Sequence, residues 1–178
     1  AFTSSCWRAS EGIFLGSRPS DLPAPVNEAL RSVSLVLASA LQFLGYVGRC
    51  SFDFLVLGDP SGTFDIRVSE CNGRWGGTST PMALVDRLLP GPRPNYRAQD
   101  VLYEQLVGRS FDSICAALEE DLYRPDTGHG RYILYNVGPL ARSGKLDVIA
   151  LAPSPEQADE ALLHALPDRL GLNRAETP

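Results

Sequence analysis

The chain has 178 residues, of which 44% are hydrophobic and 21% charged, and this composition is typical of a globular protein and excludes a disordered one. The net charge of −5, without any run of Lys or Arg, argues against nucleic acid or an anionic membrane as the main partner. The longest apolar stretch is too short and too polar to span a bilayer, and four scattered cysteines without zinc spacing indicate reduced thiols in a cytoplasmic protein.

The first clear element is a helix from Pro25 to Leu44, which follows a short strand-like segment. Proline suits a first helical turn, and Gly45 suits the position just past the end. Apolar residues recur at helical spacing and form one stripe. These are Val26, Leu30, Val33, Leu37, Leu41 and Leu44. The helix is therefore expected to pack against a flat surface, most simply a sheet.

Two strands are predicted next, at Cys50–Leu57 and Thr63–Cys71, and the turn signal GDPSG between them favours an antiparallel hairpin. The second strand alternates strictly. Its pattern predicts that one face carries Phe64, Ile66, Val68 and Glu70.

The remaining segments predict further helices and strands around a break at Pro90–Tyr96, which is rich in proline and glycine. Helices are expected at Pro81–Leu89, Ala98–Leu106, Ser110–Tyr123 and Ser154–Pro167, and strands at Arg131–Val137 and Lys145–Ala152. The tail after Leu172 is expected to be disordered. The fold class predicted is α+β, an antiparallel sheet with flanking helices, divided into domains at 1–90 and 91–178.

The segment with the clearest chemistry is Glu70-Cys71-Asn72-Gly73-Arg74. Glu70 and Asn72 lie two apart at a strand end, so both point to one face, and their oxygens are ligands that suit magnesium together with substrate phosphates. If the chain stays extended, Arg74 lies on the same side, where its guanidinium can bind a phosphate oxygen pair.

A second carboxylate is expected across the hairpin. If Ser61 and Gly62 are the two central turn residues, Asp53 falls opposite Glu70, with the side chains roughly 5 Å apart at Cβ. A divalent cation would remove the repulsion between them. If the turn instead centres on Pro60, Asp53 is displaced by about three residues.

More ordinary interpretations stay open. A lone Glu at a strand end is usually solvated, Asn-Gly is usually a turn, and an isolated Asp in an apolar strand usually has a local hydrogen-bond partner. Trp75 could line an acceptor pocket or simply pack its loop, and Ser79 and its neighbours are expected to cap the next helix. A weaker alternative makes Asp53 and Glu70 an acid/base pair for sugar hydrolysis, which leaves Asn72 and Arg74 unexplained.

The stretch Gly45–Thr80 resembles the C-terminal lobe of ATP-grasp carboxylate–amine ligases. In that family a helix ends in Gly-Tyr-x-Gly, an acidic strand follows, and a second strand ends in Glu-x-Asn-x-Arg before a Gly-containing loop. The similarity extends over about Gly12–Leu89. More faintly, the region after Pro90 resembles the extension of peptide ligases of the pheganomycin type.

The resemblance implies an enzyme that forms a peptide or amide bond through an acyl phosphate, with ATP and Mg²⁺ (or Mn²⁺) as cofactors. It implies that Asp53, Glu70 and Asn72 hold the metal. It also implies that Asn72 and Arg74 contact the nucleotide phosphates and that Arg74 is catalytic. The expected partners are ATP, a carboxylate substrate and an amine acceptor, with no nucleic acid or membrane, and self-association is left open.

Two features depart from the family. The usual proline of E-x-N-P-R is Gly73 here, and the lobe that carries the adenine contacts and the phosphate-binding lysine is not recognisable. Because the chain starts at Ala1 and its only methionine is Met82, we expect a fragment whose N-terminal lobe precedes it, with trimming after synthesis as the alternative. The competing hypothesis is a non-catalytic or degenerate ATP-grasp-like docking module.

Overall fold

The computed structural model describes residues 4–8 and 14–172, with side chains from Gly16 onward, so the tail after Leu172 lies outside the described residues. The described strands are β1 (Ser4–Arg8), β2 (Phe14–Pro19), β3 (Ser51–Gly58), β4 (Phe64–Asn72), β5 (Asn95–Leu102), β6 (Tyr132–Tyr135) and β7 (Lys145–Ala152). The described α-helices are α1 (Ala24–Phe43), α2 (Ser79–Leu88), α3 (Phe111–Ala117), α4 (Leu140–Ser143), α5 (Pro155–Glu160) and α6 (Leu166–Arg169). A 3₁₀ turn covers Glu104–Leu106, and a π-helical turn covers Ala161–Ala165.

The fold is α+β, with antiparallel sheets and flanking helices, as the sequence predicts. One sheet has the strand order β1-β2-β5-β7-β6, and β5 pairs antiparallel with β2 and β7 as β6 does with β7. The hairpin of β3 and β4 forms a separate two-stranded sheet. None of the helices in the described ranges is both long and apolar enough to cross a membrane.

The chain separates into two compact units, and the division lies between Thr80 and Pro81. The first unit contains α1 and the hairpin, and the second contains 81–172 together with most of β2. The division into domains at residue 90 stays a prediction.

The sheet of the second unit has apolar side chains on both faces. One face contributes to a core that includes Val101, Leu146, Val148 and Ala150, and helical residues such as Ile114, Leu162 and Leu166 belong to the same core. The other face carries Tyr96, Ala98, Ile149 and Leu151, which cluster with Val85 of α2. Helices therefore cover this sheet on both sides, which is why β7 is buried at 146–151.

The long helix agrees with its prediction, since α1 has Pro25 in its first turn and Gly45 follows it with a φ of +88°. The predicted stripe is buried only at its start. Val26 and Leu30 are buried, while Leu44 at the far end is exposed.

Two predictions for the second unit are wrong, and a third is too long, since the helix expected at Ser110–Tyr123 ends at Ala117. Ala98–Leu106 is not a helix, because every residue of β5 pairs with β7, and this pairing overrides the helical propensity of the segment. The last helix does not stop at Pro167. Proline lacks the N–H that an α-helix would need there, and a π turn precedes it, in which the carbonyl of Ala161 accepts both the Leu166 N–H and the Tyr132 hydroxyl (2.8 Å).

Candidate functional site

The register of the hairpin places Asp53 directly opposite Glu70 and Ser51 opposite Asn72. Next to this pair, Phe54 is opposite Val68 and not Ser69, so the register shifts by one residue between Asp53 and Phe54. The shifted register continues to the end of the strands, where Gly58 is opposite Phe64. Ser69 is therefore the extra residue of a β-bulge. The expected opposition of Asp53 and Glu70 is confirmed, but it arises from the bulge and not from a two-residue turn at Ser61 and Gly62.

The bulge also changes which side chains share a face. Directly opposed residues of an antiparallel pair lie on the same face, so Glu70 joins Asp53 and leaves the face of Val68. The predicted common face of Glu70 with Phe64, Ile66 and Val68 is thus wrong. The opposite face of the hairpin is apolar and carries Phe52, Phe54, Val56, Phe64, Ile66 and Val68.

The polar face offers two carboxylates and one amide at one end of the hairpin. Asp53 and Asn72 are half-buried and Glu70 is exposed. Two carboxylates roughly 5 Å apart at Cβ, with an amide nearby, suit a hard cation that keeps several water and phosphate ligands. The described residues contain no group of three or more His, Cys, Asp or Glu side chains arranged for a metal. A cation here would therefore depend on Asn72 and on oxygens from its ligand.

Arg74 lies outside the strand, because β4 ends at Asn72. The chain does not stay extended as far as Arg74, so the condition for placing Arg74 on the face of Glu70 is not met. Its Nη1 donates to the carbonyl of Trp75 at 3.2 Å, and the side chain is exposed. The guanidinium is thus attached to its own loop and accessible to an anion.

Tyr46 and Arg49, which the sequence pattern alone does not single out, shape this loop. The ring of Tyr46 packs on Gly73, where an added Cβ would lie 3.4 Å from it, and its hydroxyl donates to the carbonyl of Arg49 at 2.7 Å. The guanidinium of Arg49 lies 4.6 Å from the centroid of the Trp75 ring, which is 58% exposed. The Gly-Tyr-x-Gly-Arg segment was the available signal, because a glycine at 73 leaves room for an aromatic ring.

Ser79 connects the loop to α2. It is buried, its hydroxyl accepts the Gly76 N–H at 3.1 Å, and its own N–H donates to the Gly76 carbonyl at 2.9 Å. The helix begins at Ser79 itself, so this residue closes the glycine turn and does not precede the helix as a cap. His129 lies exposed in a turn of the second unit.

The second unit holds a polar cluster that was not predicted. Asp100 and Asp147 are directly opposed on β5 and β7, and Lys145 Nζ contacts Asp100 Oδ2 at 2.7 Å. Asn136, which has a φ of +48°, donates from Nδ2 to Asp147 Oδ2 at 2.9 Å. The sequence signals Asp147 as a single acid within the apolar stretch LDVIALA, but the helix predicted at Ala98–Leu106 hides the pairing of Asp100 with it.

Burial raises the pKa values of three tyrosines around the second sheet. It raises the pKa of Tyr96 to about 12 and that of Tyr132 to about 12, and it raises the pKa of Tyr135 further, with the carboxylates of Asp147 and Asp100 adding to the effect. Burial therefore favours the protonated form of these three phenols.

Comparisons with known proteins give no family for this chain. No protein-family model matches it, and a search of curated proteins gives no match. The ATP-grasp interpretation therefore depends on the motif between Gly45 and Thr80 and on the geometry of the hairpin.

Proposed function

We propose that the hairpin forms the magnesium and phosphate side of an ATP-dependent carboxylate–amine ligase site. The observation that supports it best is the bulge at Ser69, which brings Glu70 and Asn72 to the face of Asp53. In an unbulged strand with the register of Phe54 and Val68, Glu70 would lie on the apolar face. The irregularity thus puts Asp53, Glu70 and Asn72 on one face of the hairpin.

Each residue has a role in this proposal. Asp53, Glu70 and Asn72 would hold Mg²⁺, with Mn²⁺ as a substitute, and the bound cation would supply the charge that neutralises a transferred phosphoryl group. Arg74 would bind phosphate oxygens of ATP or of the acyl phosphate formed from the carboxylate substrate. No side-chain nucleophile is needed, because the amine acceptor itself attacks the acyl phosphate and releases inorganic phosphate.

The proposal assigns only part of a ligase site to this chain. Lys145 is the only lysine in the sequence, and its ammonium is paired with Asp100 in the second unit. We therefore assign the adenine contacts and a phosphate-binding lysine to an N-terminal lobe of the parent protein. The chain by itself should bind magnesium–nucleotide weakly and ligate nothing.

Metal binding can be tested with Mn²⁺, followed by electron paramagnetic resonance of the full chain. Asp53→Asn and Glu70→Gln should each raise the Kd for Mn²⁺ about tenfold, because each removes one charged ligand. Asp65→Asn is the matched control, since Asp65 lies exposed on the same face and pairs with Arg67 at 3.0 Å. Equal effects of all three variants, or none, would exclude the metal site.

Phosphate binding is tested separately with Arg74→Ala. This variant should weaken binding of magnesium–ATP while leaving the Mn²⁺ affinity unchanged, and Arg67→Ala should change neither. In the parent protein, Glu70→Ala and Asn72→Ala should each abolish ADP release. Normal turnover in both would contradict the ligase proposal.

A non-catalytic docking module is the second candidate, and one observation favours it. The first unit exposes large apolar side chains, with Phe43 90% and Val47 95% accessible. Such exposure is typical of a surface that another protein covers. A chain that binds neither Mn²⁺ nor nucleotide at the hairpin would support this candidate over the ligase.

A further inference from the structure

The second unit contains an open cavity of about 610 Å³ that the ligase proposal does not use. This volume lies within the range of about 300–1,000 Å³ that small-molecule sites occupy. Leu151 and Ala161, both buried, belong to its lining and provide apolar surface. The polar part of the lining includes Glu120, Asp121, Arg131 and Glu160.

One wall of the cavity is fixed by backbone contacts. Gly130 has a φ of +97°, and an added Cβ would lie 2.1 Å from the carbonyl oxygen of Leu122. The N–H groups of Arg131 and Tyr132 both donate to the carbonyl of Asp121, at 2.7 and 2.9 Å. The N–H of Leu151 donates to the Arg131 carbonyl at 2.7 Å. The backbone along this wall is therefore fixed before a ligand binds, which lowers the free-energy cost of ordering the site.

The carboxylates that line the cavity differ in whether a cation neutralises them. Each carboxylate oxygen of Asp121 already has a guanidinium, with Arg131 Nε at 3.2 Å and Arg169 Nε at 3.1 Å. Within the part of the chain that the structure describes, no cation pairs with Glu120, and Glu160 faces only the imidazole of His164 at 3.7 Å. Two carboxylates of the lining are thus left for a positive ligand.

The π-helical turn contributes Ala161 and Ala165 to the lining of the cavity. π turns occur frequently at functional sites. Glu160 immediately precedes this turn.

We propose that this cavity binds a small organic cation, namely a primary amine with a short aliphatic body. Its ammonium group would lie towards Glu120 and Glu160, and its aliphatic part would cover Leu151 and Ala161. The site is independent of the hairpin and of the ligase proposal, so either can fail without the other.

The test is an NMR titration of the ¹⁵N-labelled full chain with n-pentylammonium chloride. Saturable shifts are expected at the amides of Gly130, Leu151 and Ala161. The neutral analogue 1-pentanol and the anion pentanoate should give no saturable shifts there. Saturation by pentanol with equal affinity would overturn the charge argument, and saturation by pentanoate alone would make it an anion site around Arg131.

The carboxylates are then removed one at a time. Both glutamates are exposed. Glu120→Gln and Glu160→Gln should therefore each raise the Kd for n-pentylammonium only about threefold, as expected for exposed charge pairs. Glu119→Gln is the matched control, because Glu119 is exposed beside Glu120 but does not line the cavity, and it should leave the Kd unchanged. Spectra of the free variants confirm that they fold. An unchanged Kd in both lining variants would refute the proposal.

Discussion

Asp147 is the most unusual residue of the second unit, because it is an acid with only 6% of its surface exposed. Asn136 satisfies Oδ2, whereas Oδ1 has no hydrogen-bond partner among the described residues. Burial raises the pKa of Asp147, and the neighbouring carboxylate of Asp100 raises it further, while the hydrogen bond from Asn136 opposes both effects. The folded protein therefore holds a proton at this position more tightly than the unfolded chain does.

Asp147→Asn should therefore stabilise the protein at neutral pH by about 1 kcal/mol, since the variant no longer buries an incompletely paired charge. The sign follows from linkage. An acid whose pKa is raised on folding reduces stability as the pH rises above its unfolded value near 3.8. The advantage of the variant should thus grow from pH 3.8 upward and vanish below it. Urea unfolding at several pH values measures the difference.

Asp126→Asn serves as the control for this measurement, because Asp126 is exposed in the turn between α3 and β6. It should leave the free energy of unfolding unchanged within about 0.5 kcal/mol at every pH. A loss of stability in Asp147→Asn at pH 7 would show that the charge is well paired in the native state.

At the scale of elements, the hairpin shows how far the sequence could lead. Alternating apolar residues and a dense turn signal predict both strands and their pairing. The predicted opposition of Asp53 and Glu70 is correct although it assumes both a two-residue turn and an unbulged strand, because the two deviations from these assumptions compensate each other. The connecting loop spans Asp59–Thr63, which is longer than a two-residue turn, and the bulge at Ser69 restores the alignment. A bulge adds one residue without a distinct composition, so the pattern of apolar residues does not reveal it.

The same limit explains the strand that was predicted as a helix. Asp100 lies in β5 between Ala98 and Val101, which are buried on opposite faces of the sheet. Both faces are covered, so strict alternation of polar and apolar residues is lost. The pairing with β7 depends on residues about 50 positions away, and local propensity carries no information about it.

The bulge predicts a specific cross-link, because it places Phe52 opposite Cys71. Phe52→Cys in a Cys50→Ser background should form an intramolecular disulfide with Cys71 under mild oxidation, identified by mass spectrometry of the linked peptides. Phe54→Cys in the same background is the control. Phe54 faces Val68, about 10 Å along the strand from Cys71, and should not be linked to it. Linkage of the control alone would contradict the register.

At the scale of the whole molecule, the two units differ in how many strand residues they bury. β7 is buried at six successive positions, 146–151, whereas neither β3 nor β4 contains a buried residue. The apolar face of this hairpin is at best half-buried, and a two-stranded sheet that buries so little apolar surface is marginally stable in water. The hairpin that carries the candidate site should therefore open far more readily than the sheet of the second unit.

Amide hydrogen exchange followed by mass spectrometry measures this difference directly. Peptides that cover Ser51–Gly58 and Phe64–Asn72 should exchange at least about 100-fold faster than those that cover Lys145–Ala152, because exchange follows the free energy of local opening. β5, which pairs with β7 along its whole length, is the control and should be protected like its partner. If hairpin and sheet exchange at the same slow rate, the hairpin opens only with global unfolding. The candidate site on the hairpin would then be rigid by itself, and would need neither a second lobe nor another partner to stabilise it.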